Sequence, residues 1–165
     1  MDLKYNDSQR KEYFKNTQRI GGSWVRVFEG DEEFYSSAYW DLLTNIWMKD
    51  GPVRKTDALR FMTNIKSAHT AGKYVETAIA KGILIEEDNP GDARSKLLRL
   101  SPEMRGRLDE FFDGCVRDIR ICVRRIATLG PTPRSAEPNA QSRTEIGLTA
   151  RRLAPATFIR VGGLL

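Results

Sequence analysis

A chain of 165 residues that is 40% hydrophobic and 30% charged can bury one substantial core and leaves little for a second full domain. Its net charge of +5 and pI of about 9.4 favour a polyanionic partner. The two cysteines, Cys115 and Cys122, lie seven apart on a predicted helix, too far along its axis to bond, which excludes a disulfide-built secreted domain.

The opening MDLKYNDSQRK has no apolar core of the kind a signal peptide needs, and no run approaches the ~20 apolar residues of a membrane span. A cytoplasmic protein without a membrane partner is expected. Asp2 to Gln18 carries only Leu3, Tyr5, Tyr13 and Phe14 as large apolar residues, a sparse stripe that suits a helix docked on something else and would fray alone. Gly21-Gly22-Ser23 is expected to break it, and periodicity assigns Trp24 to Phe28 to neither helix nor strand. From Asp31 to Met48, by contrast, Phe34, Tyr35, Ala38, Tyr39, Leu42, Leu43, Ile46 and Trp47 keep three-and-four spacing and predict one amphipathic helix. Asp50-Gly51-Pro52 ends it. Thr56-Asp57 then suits the start of a second helix, to about Thr63, with Ala58, Leu59 and Met62 inward and Arg60 and Thr63 outward. Ile65 plugs the turn ahead of Ser67, the expected cap of the next helix.

Beyond Ser67, Tyr74, Val75, Ala78 and Ile79 form an apolar face, while His69, Thr70, Lys73 and Thr77 fall on another. Gly82 stands where a helix ends in a left-handed residue. The extended pattern that follows, the turn formers Asp88-Asn89-Pro90-Gly91-Asp92 and a second apolar segment, Lys96 to Leu100, predict a hairpin with Arg94 and Lys96 at its tip. Helix, turn, helix and hairpin in this order make a winged helix.

Ser101-Pro102-Glu103 is a strong helix start, and the helix is expected to reach Leu129. Leu108, Phe112, Cys115, Ile119, Cys122 and Ile126 repeat at four and three, a heptad seam that asks for another helix, and they are the expected dimerisation residues. Phe111, Val116 and Val123 widen the stripe. After Gly130-Pro131 the composition reads as a flexible tail, 130–165, in which Thr157 to Val161 can pair as a short strand. The tail's five arginines against two glutamates hold three of the five net charges, so the case for DNA rests on where positive residues sit in the domain.

The stretch from about Glu32 to Ile126 resembles the MarR-type transcriptional regulators, whose pattern is a helix ending in Gly-Leu-Ile, a wing bearing Asp-x-Arg, and Leu-Thr-Pro opening a helix. Here the corresponding residues are Gly82-Ile83-Leu84, Asp92-Ala93-Arg94 and Leu100-Ser101-Pro102. Lys73 stands where the family usually has Arg, and Asn64-Ile65-Lys66 lacks the usual Gly. The resemblance implies a mostly α protein with a small β hairpin, a winged helix-turn-helix domain with flanking dimerisation helices. It divides as 1–30 N-terminal helical dimerisation segment, 31–100 DNA-binding domain, 101–129 C-terminal dimerisation helix and the tail.

Ser67, His69, Thr70 and Lys73 lie on the turns that enter a major groove, with Lys73 suited to phosphate. Arg94 and Lys96 sit on the wing, and Arg94 is placed to reach a minor groove of negative potential, while Asp92 and Arg94 can also pin the hairpin turn. Arg54 and Lys55 complete the expected DNA-binding set. The expected function is therefore sequence-specific binding of double-stranded DNA by a homodimer acting as a repressor, with any small-molecule effector unidentified. The alternative is a winged helix used as a protein–protein module. A third class, an enzyme or carrier, would need a pocket near Trp24, Trp40 and Trp47. His69 is the only histidine and has no ligand set around it, and no phosphate loop, serine elbow or carboxylate pair is present, so no metal, cofactor or catalytic residue is expected. Cys115 and Cys122 are read most simply as small buried apolar residues, although a thiol exposed at a subunit interface would be open to oxidants.

Overall fold

Helix α1, Asp7–Val27, starts at a capping box: Asn6 Oδ1 accepts from the Gln9 amide at 2.9 Å, and Gln9 Oε1 accepts from the Asn6 amide at 3.0 Å. The computed structural model describes residues 3–130, and within them α1 packs along α5, Pro102–Thr128. The expected break at Gly21-Gly22-Ser23 does not occur, and Trp24 to Val27 form the last turn of α1. Glycine costs a helix interior about 1 kcal/mol, but Trp24 and Val27 bury themselves only if the helix continues, each worth about 1.5–3 kcal/mol. The chain then turns through Glu29 (φ 55) and Gly30 (φ 94). Glu29 holds a left-handed conformation unusual for its type, with its carboxylate on Arg107 at 2.9 Å.

The single helix expected from Asp31 to Met48 is instead a 3₁₀ turn, Glu32–Tyr35, followed by α2, Ser37–Trp47. Ser36 is extended, and its hydroxyl accepts from the Tyr39 amide at 3.5 Å. A serine capping a new helix is better satisfied than one held in a helix interior, while Phe34 stays in the core from either geometry. The two-residue strand β1, Val53–Arg54, was not expected, being too short to carry a period. Next come α3, Lys55–Phe61, which starts one residue before Thr56 and ends two before Thr63, then α4, Ala68–Ala80, β2, Leu84–Asp88, and β3, Lys96–Leu100. The strands form an antiparallel sheet in the order β1-β3-β2, with Leu84 opposite Leu100 and Val53 opposite Leu98. The fold is mostly α with a small β sheet, as expected. The tail from residue 131, including Thr157 to Val161, lies outside the described residues.

The heptad seam of α5 meets its own chain over much of its length, which takes Leu108 and Cys122 out of reach of a second subunit. Leu108 is fully buried in the core, Phe112 packs on Trp47 with centroids 4.2 Å apart, Cys115 is half-buried against the core, and Cys122 is buried with its thiol donating to the Glu12 carbonyl at 3.8 Å. The partner helix the seam asks for is thus α1. Ile119 remains half exposed and Ile126 partly buried. The three tryptophans do not ring a pocket either. Trp24 meets Trp40 at 4.7 Å and Phe111 at 5.5 Å, edge to face, so aromatic carbon fills that space, and its buried indole N–H finds no acceptor.

The two long helices also cap one another. Asn6 Nδ2 donates to the Leu129 carbonyl at 3.0 Å and Gln9 Nε2 to the Ile126 carbonyl at 3.1 Å, so the residues that cap the start of α1 satisfy the end of α5 as well. At its other end α5 presents Arg107 Nη1 to the Val27 carbonyl at 3.1 Å and Arg105 Nη1 to the Trp47 carbonyl at 3.0 Å, capping α1 and α2. Gly130 makes room for this, because a Cβ there would stand 2.6 Å from Asn6 Nδ2. Asn6→Ala is expected to cost about 1 to 2 kcal/mol in denaturant unfolding. Gly130→Ala should cost a similar amount, and the double variant little more than either alone, since both remove one cap. Additive losses would separate Gly130 from the cap.

Candidate nucleic-acid interface

Helix α4 is fixed at both ends. Ser67 Oγ accepts from the Thr70 amide at 3.4 Å, as expected of the cap. At the other end Gly82 (φ 69) makes a Schellman turn, with the Ile83 amide on the Ala78 carbonyl and the Gly82 amide on the Ile79 carbonyl, both at 2.9 Å. Ala71, Val75 and Ala78 face the core, and Tyr74 packs edge-on to Tyr39 at 5.0 Å, so Tyr74 is a packing residue. Burial pushes the Tyr39 phenol up to about 12 and keeps it neutral. What α4 turns outward is Ser67, His69, Thr70 and Lys73, all exposed.

The cations divide into two groups. Among the described residues Arg54, Lys73 and Arg94 are exposed and make no ion pair, and so is Lys66, which sequence reasoning did not single out. The signal for Lys66 was its place directly ahead of the Ser67 cap. Lys55 and Lys96, grouped with them from sequence, are held by carboxylates instead. Lys55 Nζ reaches Glu76 Oε1 at 2.6 Å and also Glu86, tying α4 and β2 to the start of α3. Burial acts to lower the Lys55 pKa, but the bonds to Glu76 and Glu86 outweigh it and hold the ammonium above its usual range. Lys96 bonds Asp88 across the hairpin, which raises the lysine and lowers the carboxyl. Lys55 and Lys96 therefore brace the wing, and their charges are already matched.

The wing's turn separates the roles left open for Asp92 and Arg94. Asp92 Oδ1 accepts from the Arg94 amide at 3.1 Å, its carbonyl takes the Ser95 amide at 2.9 Å, and Asn89 Nδ2 donates to Ser95 Oγ at 2.7 Å. Asp92 pins the turn with its side chain, whereas Arg94 enters through its backbone and leaves its guanidinium in solvent.

On the helix pair, Val116, Ile119 and Val123 of α5 and Tyr13 and Phe14 of α1 are large apolar residues at least half exposed. The Cys115 thiol beside them is pushed up by burial and then by Asp118, which disfavours the reactive thiolate. Among the described residues no group of three or more His, Cys, Asp or Glu is placed to hold a metal, and no helix is long and apolar enough to cross a membrane.

No family model and no curated protein sequence matches this chain. Solved structures do. A transcriptional regulator from Thermotoga maritima aligns at a TM-score of 0.50 and 17% identity, covering 76% of this chain and 83% of that one. The chain has the winged-helix fold. A MarR family transcriptional regulator from Streptomyces coelicolor, solved in complex with DNA, aligns at a TM-score of 0.46 and 20% identity over 73% of this chain and 76% of that one. A probable transcriptional regulator from Pseudomonas aeruginosa aligns at 0.44 and 21% over 72% and 82%.

Within this winged helix, Asp92→Ala is expected to lower stability by about 1 kcal/mol through the lost turn bond, while Arg94→Ala leaves the thermal midpoint unchanged. A clear fall in the midpoint of Arg94→Ala would make that residue a structural anchor.

Proposed function

We propose that this chain is a sequence-specific, double-stranded DNA-binding transcriptional regulator, a repressor that acts as a homodimer by occupying its operator. The observation that carries the reading is the outward face of α4 and the residues just before it, where Ser67, His69, Thr70, Lys66 and Lys73 are free of the core and of ion pairs, with Arg54 of β1 and Arg94 of the wing likewise exposed and unpaired among the described residues. A helix whose amino-terminal turns are polar and whose cations lack carboxylate partners is suited to a major groove, with the cations on phosphates and the wing arginine beside them. Likeness in fold to a transcriptional regulator from Thermotoga maritima supports the same reading.

In this account residues 31–100 bind DNA, and segments 1–30 and 101–129 supply the dimer contact. Their exposed Tyr13, Phe14, Val116, Ile119 and Val123 form a strip of large apolar side chains of the kind that a second copy covers. Two-fold symmetry then places two α4 helices about one turn of DNA apart and implies a palindromic operator.

Mobility shift on the DNA flanking its own gene, with and without unrelated competitor, tests the reading. Retarded bands that survive competitor support it, and a chain that retards no DNA at low salt is a protein-binding module. In the same assay Lys73→Ala should weaken binding across sequences and shallow the slope of log affinity against log salt by about one, as loss of one phosphate contact does. An unchanged slope removes Lys73 from the interface. Ile119→Asp should weaken a dimer built on this strip by a few kcal/mol (~10²-fold or more), giving monomers in sedimentation and lower DNA affinity. A dimer that persists in that variant places the interface elsewhere.

A further inference from the structure

The double glycine within α1 has no use in the packing of its own chain. Gly21 has nothing within 4 Å of where a Cβ would stand, and Gly22 only Arg26 Nη1 at 4.0 Å. Both therefore weaken the helix without admitting any neighbour close to it. Gly22 does floor an open groove, whose walls are Lys15, Gln18, Arg19, Ser23 and Arg26 from α1 and Asp118 from α5. The α1 residues alternate three- and one-residue steps, so that they repeat every four and share one flank of the helix.

That flank carries uncompensated positive charge. Among the described residues Arg19 and Arg26 make no ion pair: Arg19 bonds only the Asn16 amide oxygen, at 3.5 Å, and Arg26 the Ser23 hydroxyl, at 2.7 Å. Lys15 stands 4.0 Å from Glu12, whose carboxylate is also taken by Arg125 at 3.2 Å. The one acid on the rim, Asp118, lies 3.5 Å from Arg117. Three cations, two of them without a carboxylate partner, stand around a bare backbone floor with a hydroxyl and a carboxamide between them. Arg19 and Arg26 are seven residues apart, about 10 Å along the axis, with Gly22 between them. A chain of adjacent phosphates spans two forks set that far apart along the axis more readily than one tetrahedral anion does.

We propose that this flank of α1 is a binding site for a diphosphate or longer phosphate chain carried by a small ligand, with Arg19 and Arg26 as forks, Lys15 as a third charge and Gly22 as the floor that lets the anion approach the helix. The site is independent of the DNA-binding reading. By helical position it lies on the Asp118 side of the α1–α5 contact, whereas Val116, Ile119 and Val123 lie on the other side of the packed stripe of α5.

The test is titration of the full chain with sodium pyrophosphate at constant ionic strength, read by calorimetry and by the thermal midpoint, against sodium chloride. The wild-type chain should bind pyrophosphate and gain in midpoint, and Arg19→Gln/Arg26→Gln should bind about tenfold or more weakly. Gly22→Leu separates a site from a structural quirk: it should fold with an equal or higher midpoint, because leucine favours the helix and the space is open, yet lose the response to pyrophosphate. A midpoint that responds equally to chloride overturns the proposal, as does undiminished binding in either variant. Loss of affinity for unrelated duplex DNA in Arg19→Gln/Arg26→Gln, without pyrophosphate binding by wild type, overturns it in favour of backbone contact with DNA.

Discussion

Helix α5 holds the molecule together by serving as the end-piece of three other helix termini. Its Arg105 and Arg107 close the last turns of α2 and α1, its own last carbonyls are closed by Asn6 and Gln9, and its Ser101 amide bonds the Ile83 carbonyl at the root of the wing. A helix end left without partners carries up to four unsatisfied groups, each costly when water is excluded. Arg105 also lies over the Trp47 ring and shares Asp109 with the Trp47 indole, while Arg107 gathers Glu29 and Glu103. The helix pair and the winged helix are therefore joined by polar bonds of fixed direction as well as by apolar contact, and the tilt of α4 is set relative to α5 through the short link at Ile83 and Ser101.

This rigidity determines which charges remain for a partner. Opposite charges inside the winged helix, Lys55 with Glu76 and Glu86, Arg99 with Glu87, Lys96 with Asp88 and Lys81 with Asp31, position its strands and helices against one another. Each exposed pair contributes little alone, but together they fix the wing and remove those cations from competition for phosphate. On α4, the residues just before it and the wing sheet, the cations left without a carboxylate are Arg54, Lys66, Lys73 and Arg94, and where such unpaired cations sit matters more than the net charge.

Much of this was legible in the sequence where one residue type has one good use. Ser67 and Ser101 as caps, Gly82 as a left-handed stop, Pro102 at a helix start and the turn formers after Asp88 each act locally, and the structure places each as its chemistry requires. What misled were positions settled by distant contacts. Gly21 and Gly22 read as a break because local propensity says nothing of Trp24, which needs the helix to continue into the aromatic cluster. The α5 heptads named a partner helix correctly in kind but could not say whether it belongs to the same chain. The ion pairs of Lys55 and Lys96 were not visible either, because their carboxylate partners, except for Asp88, are brought near only by folding.

On the proposed function, folding leaves Lys66 and Lys73 for DNA and ties Lys55 and Lys96 to carboxylates of the winged helix. Lysine acetylation with and without bound DNA, read residue by residue by mass spectrometry, examines all four in one sample. Lys66 and Lys73 should react readily in the free protein and be protected by DNA, while Lys55 and Lys96 react to the same extent with and without it. Protection confined to lysines away from α4, such as Lys49 or Lys81, with Lys66 and Lys73 equally reactive in both states, would contradict it.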